Sequence, residues 1–149
     1  MAATTTAQDI FDKAIMLMGE QSDTGITDWA DTAEYKLRAL YILNVLRGEC
    51  FKYSDTAAPM TAGMRPVCTV ITHLTDVVDI DDVIAQTVMP YGLAAHLMLD
   101  EDTTAAGFFQ SRYEELLAKF DGSIPADWGG ITDVYGVGED FTYSQFGRW

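Results

Sequence analysis

The sequence has few basic residues. Nine lysines and arginines stand against 23 aspartates and glutamates in 149 residues, which gives a formal net charge of −14. Basic residues form no run at any point. Because a DNA groove and an anionic membrane surface both attract clusters of lysine and arginine, this charge balance argues against a protein that binds either of them.

Cysteine is also scarce. Cys50 and Cys68 are too few for a disulfide scaffold and lack the spacing of zinc ligands, so we expect synthesis in a reducing cytoplasm. No base is placed beside either thiol by the sequence. We therefore interpret both cysteines as small buried hydrophobic groups.

Signals for export and for membrane insertion are missing as well. Residues 1–6 contain no lysine or arginine, and no apolar core of the secretory type follows them. The longest uncharged stretch, residues 83–99, contains Pro90 and His96, is flanked by acids, and is short for a membrane span. We interpret it as a buried core helix of a soluble protein without membrane contact.

What remains is a chain that is 48% hydrophobic and long enough for a core of its own. Apolar residues recur at helical spacing in four segments. The first follows candidate N-caps at Thr4, Thr5 and Thr6 and ends near Met18, before Gly19. The second begins near Asp31 or Thr32; its predicted inner stripe is Tyr35, Ala39, Ile42 and Leu46, and its solvated positions are Lys36, Arg38 and Arg47.

The third helix is predicted after Asp79, Asp81 and Asp82 and continues to Leu99. Pro90 lies inside it and should kink it, or else break it into two short helices. The fourth helix ends before Gly122, and its inner face is predicted from spacings of four, three and four residues at Phe109, Tyr113, Leu116 and Phe120. Between the second and third helices, residues 53–74 form a long loop in which residues 67–71 are β-branched enough for a short extended segment.

The predicted fold is therefore all-α, a small bundle of four main helices with the third kinked at Pro90, a long loop and an extended C-terminal arm. Residues 1–121 form the predicted helical-bundle domain and residues 122–149 the arm. Six glycines and six aromatic residues alternate with polar residues in the arm. So many aromatic rings usually pack on a surface, and 28 extended residues reach roughly 90 Å, far enough to contact a neighbouring subunit or another protein.

Candidate chemistry is sparse. The acidic cluster Asp76, Asp79, Asp81 and Asp82 does not match a calcium-binding loop and is interpreted as helix capping, as are Asp100, Glu101 and Asp102. His73 and His96 lie far apart in sequence, and His96 is interpreted as a core or interface histidine. Motifs for nucleophilic, phosphate-binding, dinucleotide-binding or zinc-dependent catalysis do not occur. We predict no enzyme activity, no catalytic residue, no metal and no cofactor.

Several segments together resemble the head-tail connector (adaptor) proteins of long-tailed bacteriophages. They are VMPYGLAAHL at 88–97, LDED at 99–102, Phe109 with RYEELL at 112–117, ITDVYG at 131–136 and FGRW at 146–149. The resemblance covers most of the chain from about residue 74 onward and the two-helix character of the N-terminal half.

The resemblance implies a virion protein of the head-tail neck that assembles into a ring, typically of twelve subunits, beneath the capsid portal. The arm would engage the portal protein, and loops would contact the next neck or tail-completion protein. The implied portal-binding residues are Ile131, Val134, Tyr135, Phe141, Tyr143, Phe146, Arg148 and Trp149. Packaged DNA would pass through the channel without specific binding, and a lumen lined with carboxylates would repel its phosphates.

Two other classes of function stay open at this stage. An acidic soluble regulatory protein could act as a nucleic-acid mimic, which predicts a basic protein partner and no ring. A small hydrolase or metal-dependent enzyme would require His73, His96 and acidic residues to converge.

Overall fold

Five α-helices dominate the computed structural model, which describes residues 3–54 and 69–121. They are α1 (Ala7–Met18), α2 (Ala33–Cys50), α3 (Asp82–Thr87), α4 (Met89–Met98) and α5 (Thr103–Asp121), with 3₁₀ turns at Ala30–Thr32 and Phe51–Tyr53. Neither described stretch contains a β-strand, including the predicted extended segment as far as it is described, from Thr69 to Ile71. The predicted all-α small bundle is confirmed.

Helix α1 begins and ends where the sequence predicts. The hydroxyl of Thr6 accepts a hydrogen bond from the Asp9 amide at 3.2 Å, and the Asp9 carboxylate accepts one from the Thr6 amide at 2.9 Å, which completes a capping box. The helix ends at Gly19, whose φ of 79° is the left-handed conformation that glycine adopts without a steric penalty. Local sequence chemistry thus marks both ends of this helix, and the carbonyls of Asp76 and Leu74 accept hydrogen bonds from the first two helical amides.

Helix α4 lies at the centre of the bundle and contacts α1, α2, α3 and α5. Eight of its ten residues are buried, as expected for a helix that is apolar on all sides. The packing is closest at Gly92. A Cβ atom there would lie 2.8 Å from Cδ2 of Leu46 on α2 and 2.9 Å from ring carbons of Tyr113 on α5. The absence of a side chain at residue 92 thus permits both neighbouring helices to approach.

The predicted third helix is broken rather than kinked. Helix α3 ends at Thr87, Val88 stands between the helices, and Pro90 occupies the first turn of α4. Proline is tolerated in a first turn because the amide at that position needs no intrahelical partner. The carbonyl of Gln86, four residues before Pro90, instead lies 3.5 Å from Nζ of Lys13. Pro90 predicted either one kinked helix or two short helices, and the structure contains two helices.

The inner face of α2 differs from the prediction at two positions. Leu43 is fully buried whereas Ile42 is only half-buried, so the core stripe lies slightly rotated from the expected one. The prediction that Arg47 is solvated is wrong. Its side chain is buried, and its guanidinium donates to the carbonyl and hydroxyl oxygens of Thr69 and lies 3.7 Å from a carboxylate oxygen of Asp79.

Helix α5 packs on α4 through its predicted face. Phe109 and Tyr113 are buried, while Leu116 and Phe120 are partly buried against the core. Its first turn is capped by Asp102, whose carboxylate accepts hydrogen bonds from the amides of Thr104 and Ala105. The predicted stop at Gly122 lies outside the described residues.

Within the described residues, no helix combines the length and the apolar character that crossing a membrane requires. The boundary between the bundle domain and the arm, at residues 121 and 122, coincides with the end of the described chain. That division stays a prediction.

Candidate interaction surfaces

The outer face of α2 carries a row of exposed apolar side chains. Leu37, Tyr41 and Val45 follow one another at intervals of four residues and are 75%, 80% and 56% exposed. This spacing puts them on one side of the helix. The buried residues Ala39 and Leu43 are each two positions away, which is roughly the opposite side. We call Leu37, Tyr41 and Val45 the α2 stripe.

A groove of about 550 Å³ adjoins the α2 stripe and extends its apolar surface. One wall is the segment from Thr69 to Thr72, where the side chain of Val70 is 73% exposed. The other wall includes Leu40, Tyr41 and Gly48 of α2. A contiguous apolar surface of this kind is typical of sites where proteins bind one another.

The segment beside the groove is fixed to α2 by side chains. The Asn44 amide oxygen accepts from the Ile71 amide at 2.9 Å, and its nitrogen donates to the Ile71 carbonyl at 3.0 Å. Arg47 holds Thr69 in the same way, as described above. Because Thr69 and Ile71, on either side of Val70, are both bound to α2, Val70 and the α2 stripe form a preorganised surface.

A second groove, of about 500 Å³, lies between α1, α4 and α5. Its apolar lining includes Met16 and Leu17, both exposed, together with Tyr91. Two cations lie in its wall, Lys13 on α1 and Arg112 on α5. We call it the basic groove; its full lining is Lys13, Met16, Leu17, Gln86, Thr87, Pro90, Tyr91, Arg112 and Leu116.

In the acidic cluster at the start of α3, only Asp81 acts as the predicted helix cap, and the other acids bind elsewhere. Asp81 caps α3, and the Asp76 carboxylate accepts from the amides of Thr72 and His73. Asp82 accepts four hydrogen bonds of 2.7–2.8 Å from the amides and hydroxyls of Thr4 and Thr5. These hydrogen bonds favour the ionised form, so they lower the pKa values of Asp76 and Asp82.

The second acidic cluster joins α2 to the turn before α5. Asp100 forms an ion pair with Arg38 at 3.0 Å. Glu101 accepts a hydrogen bond from the hydroxyl of Tyr35. The pKa of Tyr35 is raised mainly by burial and secondly by this hydrogen bond. Asp102 provides the predicted cap, while the other two acids connect separate helices.

His73, His96 and Cys50 are the histidines and the cysteine that the structure describes. His96 is exposed on α4, so the core alternative is wrong and the interface alternative stays a prediction; His73 is exposed too. Cys50 is fully buried with its sulfur 3.6 Å from the Tyr113 hydroxyl, and burial raises its pKa to about 11. Among the described residues, no three side chains of His, Cys, Asp or Glu are grouped to hold a metal ion. Cys68 lies outside those residues.

The portal-binding residues expected from the resemblance all fall in residues 122–149, outside the described chain, and most of the predicted long loop does as well. Sequence reasoning did not single out the α2 stripe. A signal for it was present, because Leu37, Tyr41 and Val45 repeat every four residues opposite the predicted inner face.

Comparison with known proteins gives no match. Neither a protein-family model, nor a curated protein, nor a solved structure is detectably similar to this chain.

Proposed function

We propose that this protein is a structural virion protein, a ring-forming adaptor that docks under the capsid portal of a long-tailed phage and joins it to the next neck or tail-completion protein. The α2 stripe is the observation that carries the proposal. Chains of net charge −14 repel one another. A row of exposed apolar side chains on such a chain is best explained by a neighbour that covers it after assembly.

The proposal divides the contacts between two parts of the chain. The α2 stripe and Val70 form the contact between subunits in the ring. The arm provides the contact with the portal, through the apolar and aromatic residues named above and Arg148. An extended segment can bind in this way by backbone pairing supplemented by side-chain anchors.

In the proposed ring, the central opening is the channel for DNA, and the negative charge of the subunits determines how DNA behaves in it. Packaged DNA passes through without specific binding, because acidic side chains facing the lumen repel its phosphates. The protein acts by joining partners and not by catalysis. Burial of the Cys50 thiol and the structural roles of Asp76, Asp81 and Asp82 are consistent with this part of the proposal.

The test is assembly of the full chain with the portal protein of the same phage, followed by negative-stain imaging and mass photometry. Wild type should form closed rings on the portal. The double variant Leu37→Asp/Tyr41→Asp should remain folded by circular dichroism and form no rings. Burying a large apolar side chain contributes about 1.5–3 kcal/mol, so loss of two should weaken each contact at least about a hundredfold.

Phe108→Asp is the matched control, because Phe108 is an exposed large apolar residue on α5, 64% exposed. It should assemble like wild type. Rings formed equally well by the double variant would exclude the α2 stripe as the contact. If wild type forms neither rings nor a portal complex at any concentration, the adaptor proposal is wrong.

A second candidate function is favoured by the net charge alone. An acidic regulatory protein that mimics nucleic acid would bind a basic protein and form no ring. Tight binding to a basic partner, together with no association with the portal, would replace the adaptor proposal with this one.

A further inference from the structure

The basic groove concentrates positive charge on an acidic chain. Lys13 and Arg112 line it, and Lys119 lies one helical turn beyond Leu116 of its lining. These are three of the nine basic residues in the whole sequence. Glu115 is shared between Arg112, at 2.6 Å, and Lys119, at 3.0 Å. Asp9 interacts electrostatically with Lys13. Three cations against two carboxylates leave one net positive charge at the wall of the groove, which favours an acidic ligand.

Residues 122–149 have the complementary composition. They contain four acidic residues and one basic residue, Arg148, along with six aromatic residues; the acids are Asp127, Asp133, Glu139 and Asp140. A ligand for the basic groove needs apolar groups for Met16, Leu17 and Tyr91 and carboxylates for the cations. The sequence ITDVYG at 131–136 places an acid between apolar residues in this way.

Helix α5, which precedes residues 122–149, ends close to the basic groove. Leu116 lines the groove, and α5 ends five residues later at Asp121. At 1.5 Å per residue, the last residue of α5 lies only about 7.5 Å along the helix axis from Leu116, and the segment follows it directly in the sequence. A tether this short gives a local concentration in the millimolar range. The α2 stripe, by contrast, includes no residue of α5.

We propose that the basic groove binds residues 122–149 of its own chain. The carboxylates of the segment lie toward Lys13 and Arg112, and its aromatic side chains cover Met16, Leu17 and Tyr91. If the function proposed above is also correct, the segment that anchors the portal is held on the subunit until the portal displaces it. The intramolecular contact itself does not depend on that function.

Zero-length carbodiimide coupling of the full-length protein tests the contact, because the segment has carboxylates and no lysine. Peptide mapping should find Lys13 joined to the acids of residues 122–149 at least about tenfold more often than Lys36, the control lysine on α2. Equal yields at the two lysines would overturn the proposal. An equal mixture of ¹⁴N and ¹⁵N protein should give cross-links within one isotope; mixed-isotope cross-links would show that the occupant is a second copy and overturn the same-chain assignment.

A groove variant gives an independent readout. Met16 is 54% exposed, so Met16→Asp should change the groove without unfolding the core. Brief chymotrypsin treatment should cleave the chain after the aromatic residues of 122–149 about tenfold faster in this variant than in wild type, since the apolar contact of Met16 with the segment is lost. Phe108→Asp should leave that rate unchanged. An unchanged rate in Met16→Asp would overturn the assignment to the basic groove.

The outcomes for the two proposals are separable. Portal rings formed by a chain that shows no preference for Lys13 would leave the adaptor function standing and remove the intramolecular contact. Lys13 cross-links and slow cleavage in a chain that never binds a portal would do the reverse.

Discussion

Substitution of Gly92 by alanine tests the central packing of the bundle. The new Cβ atom would meet Leu46 at 2.8 Å and Tyr113 at 2.9 Å. Neither neighbour is free to move: Leu46 is fully buried, and the Tyr113 hydroxyl donates to Glu49 at 2.8 Å. Overpacking of this kind costs about 1–3 kcal/mol, whereas glycine to alanine in a helix stabilises by about 0.5–1 kcal/mol. The middle of the difference between these ranges is a net loss of about 1 kcal/mol in the free energy of unfolding.

Gly107→Ala is the matched control. Gly107 is in α5 and nothing lies within 4 Å of the position its Cβ would take, so only the helix propensity changes. This variant should be more stable than wild type by about 0.5–1 kcal/mol. Urea unfolding followed by circular dichroism should therefore move the two midpoints in opposite directions. A Gly92→Ala midpoint equal to or above that of Gly107→Ala would refute the close approach of α2, α4 and α5.

Three further variants examine polar groups. The hydrogen bonds that lower the pKa of Asp82 stabilise the fold at pH values above the ordinary carboxyl pKa near 4, and this stabilisation is lost as the pH falls through the lower pKa of the folded state. Asp82→Asn should therefore lose less stability than wild type between pH 5 and pH 2 in urea titrations. Identical pH profiles for the two proteins would contradict this. Arg47→Met should cost about 1.5–3 kcal/mol because the hydrogen bonds from the charged guanidinium to Thr69 are lost, and an unchanged urea midpoint would count against that contact. In a Cys68→Ser background, Cys50 should react with a thiol reagent at pH 8 only after unfolding; rapid labelling of the native protein would show that its thiol is accessible.

Features set by neighbours in sequence were predictable. Thr6 and Gly19 bound α1 because caps act within one turn of a helix, and the face of α5 follows from its apolar spacing. Pro90 indicated a disruption but not its form. The choice of a break depends on a first-turn position for the proline and on Lys13 lying near the freed Gln86 carbonyl, and the latter is a contact over 73 residues.

Features set by distant residues were not predictable in the same way. Arg47 has the spacing of a surface residue at the end of α2, and only Thr69 and Asp79, more than 20 residues later, make its burial tolerable. The α2 stripe shows the converse. Its apolar residues are visible in the sequence, but which side of α2 stays exposed among the described residues becomes evident only when α1, α4 and α5 are in place.

The salt dependence of association separates the two candidate functions, because the negative charge opposes assembly of a ring but favours binding to a basic partner. Residues 122–149 account for −3 of the net charge, which leaves −11 on the first 121 residues. A ring held by the α2 stripe forms against this repulsion, and salt screens charges over about 10 Å at 0.1 M and 3 Å at 1 M. Self-association measured by sedimentation equilibrium should therefore strengthen between 0.05 and 0.5 M NaCl. A nucleic-acid mimic held to a basic partner by charge attraction would weaken over the same range. Self-association that weakens with salt would mean that charge pairs, rather than Leu37, Tyr41 and Val45, hold the subunits together.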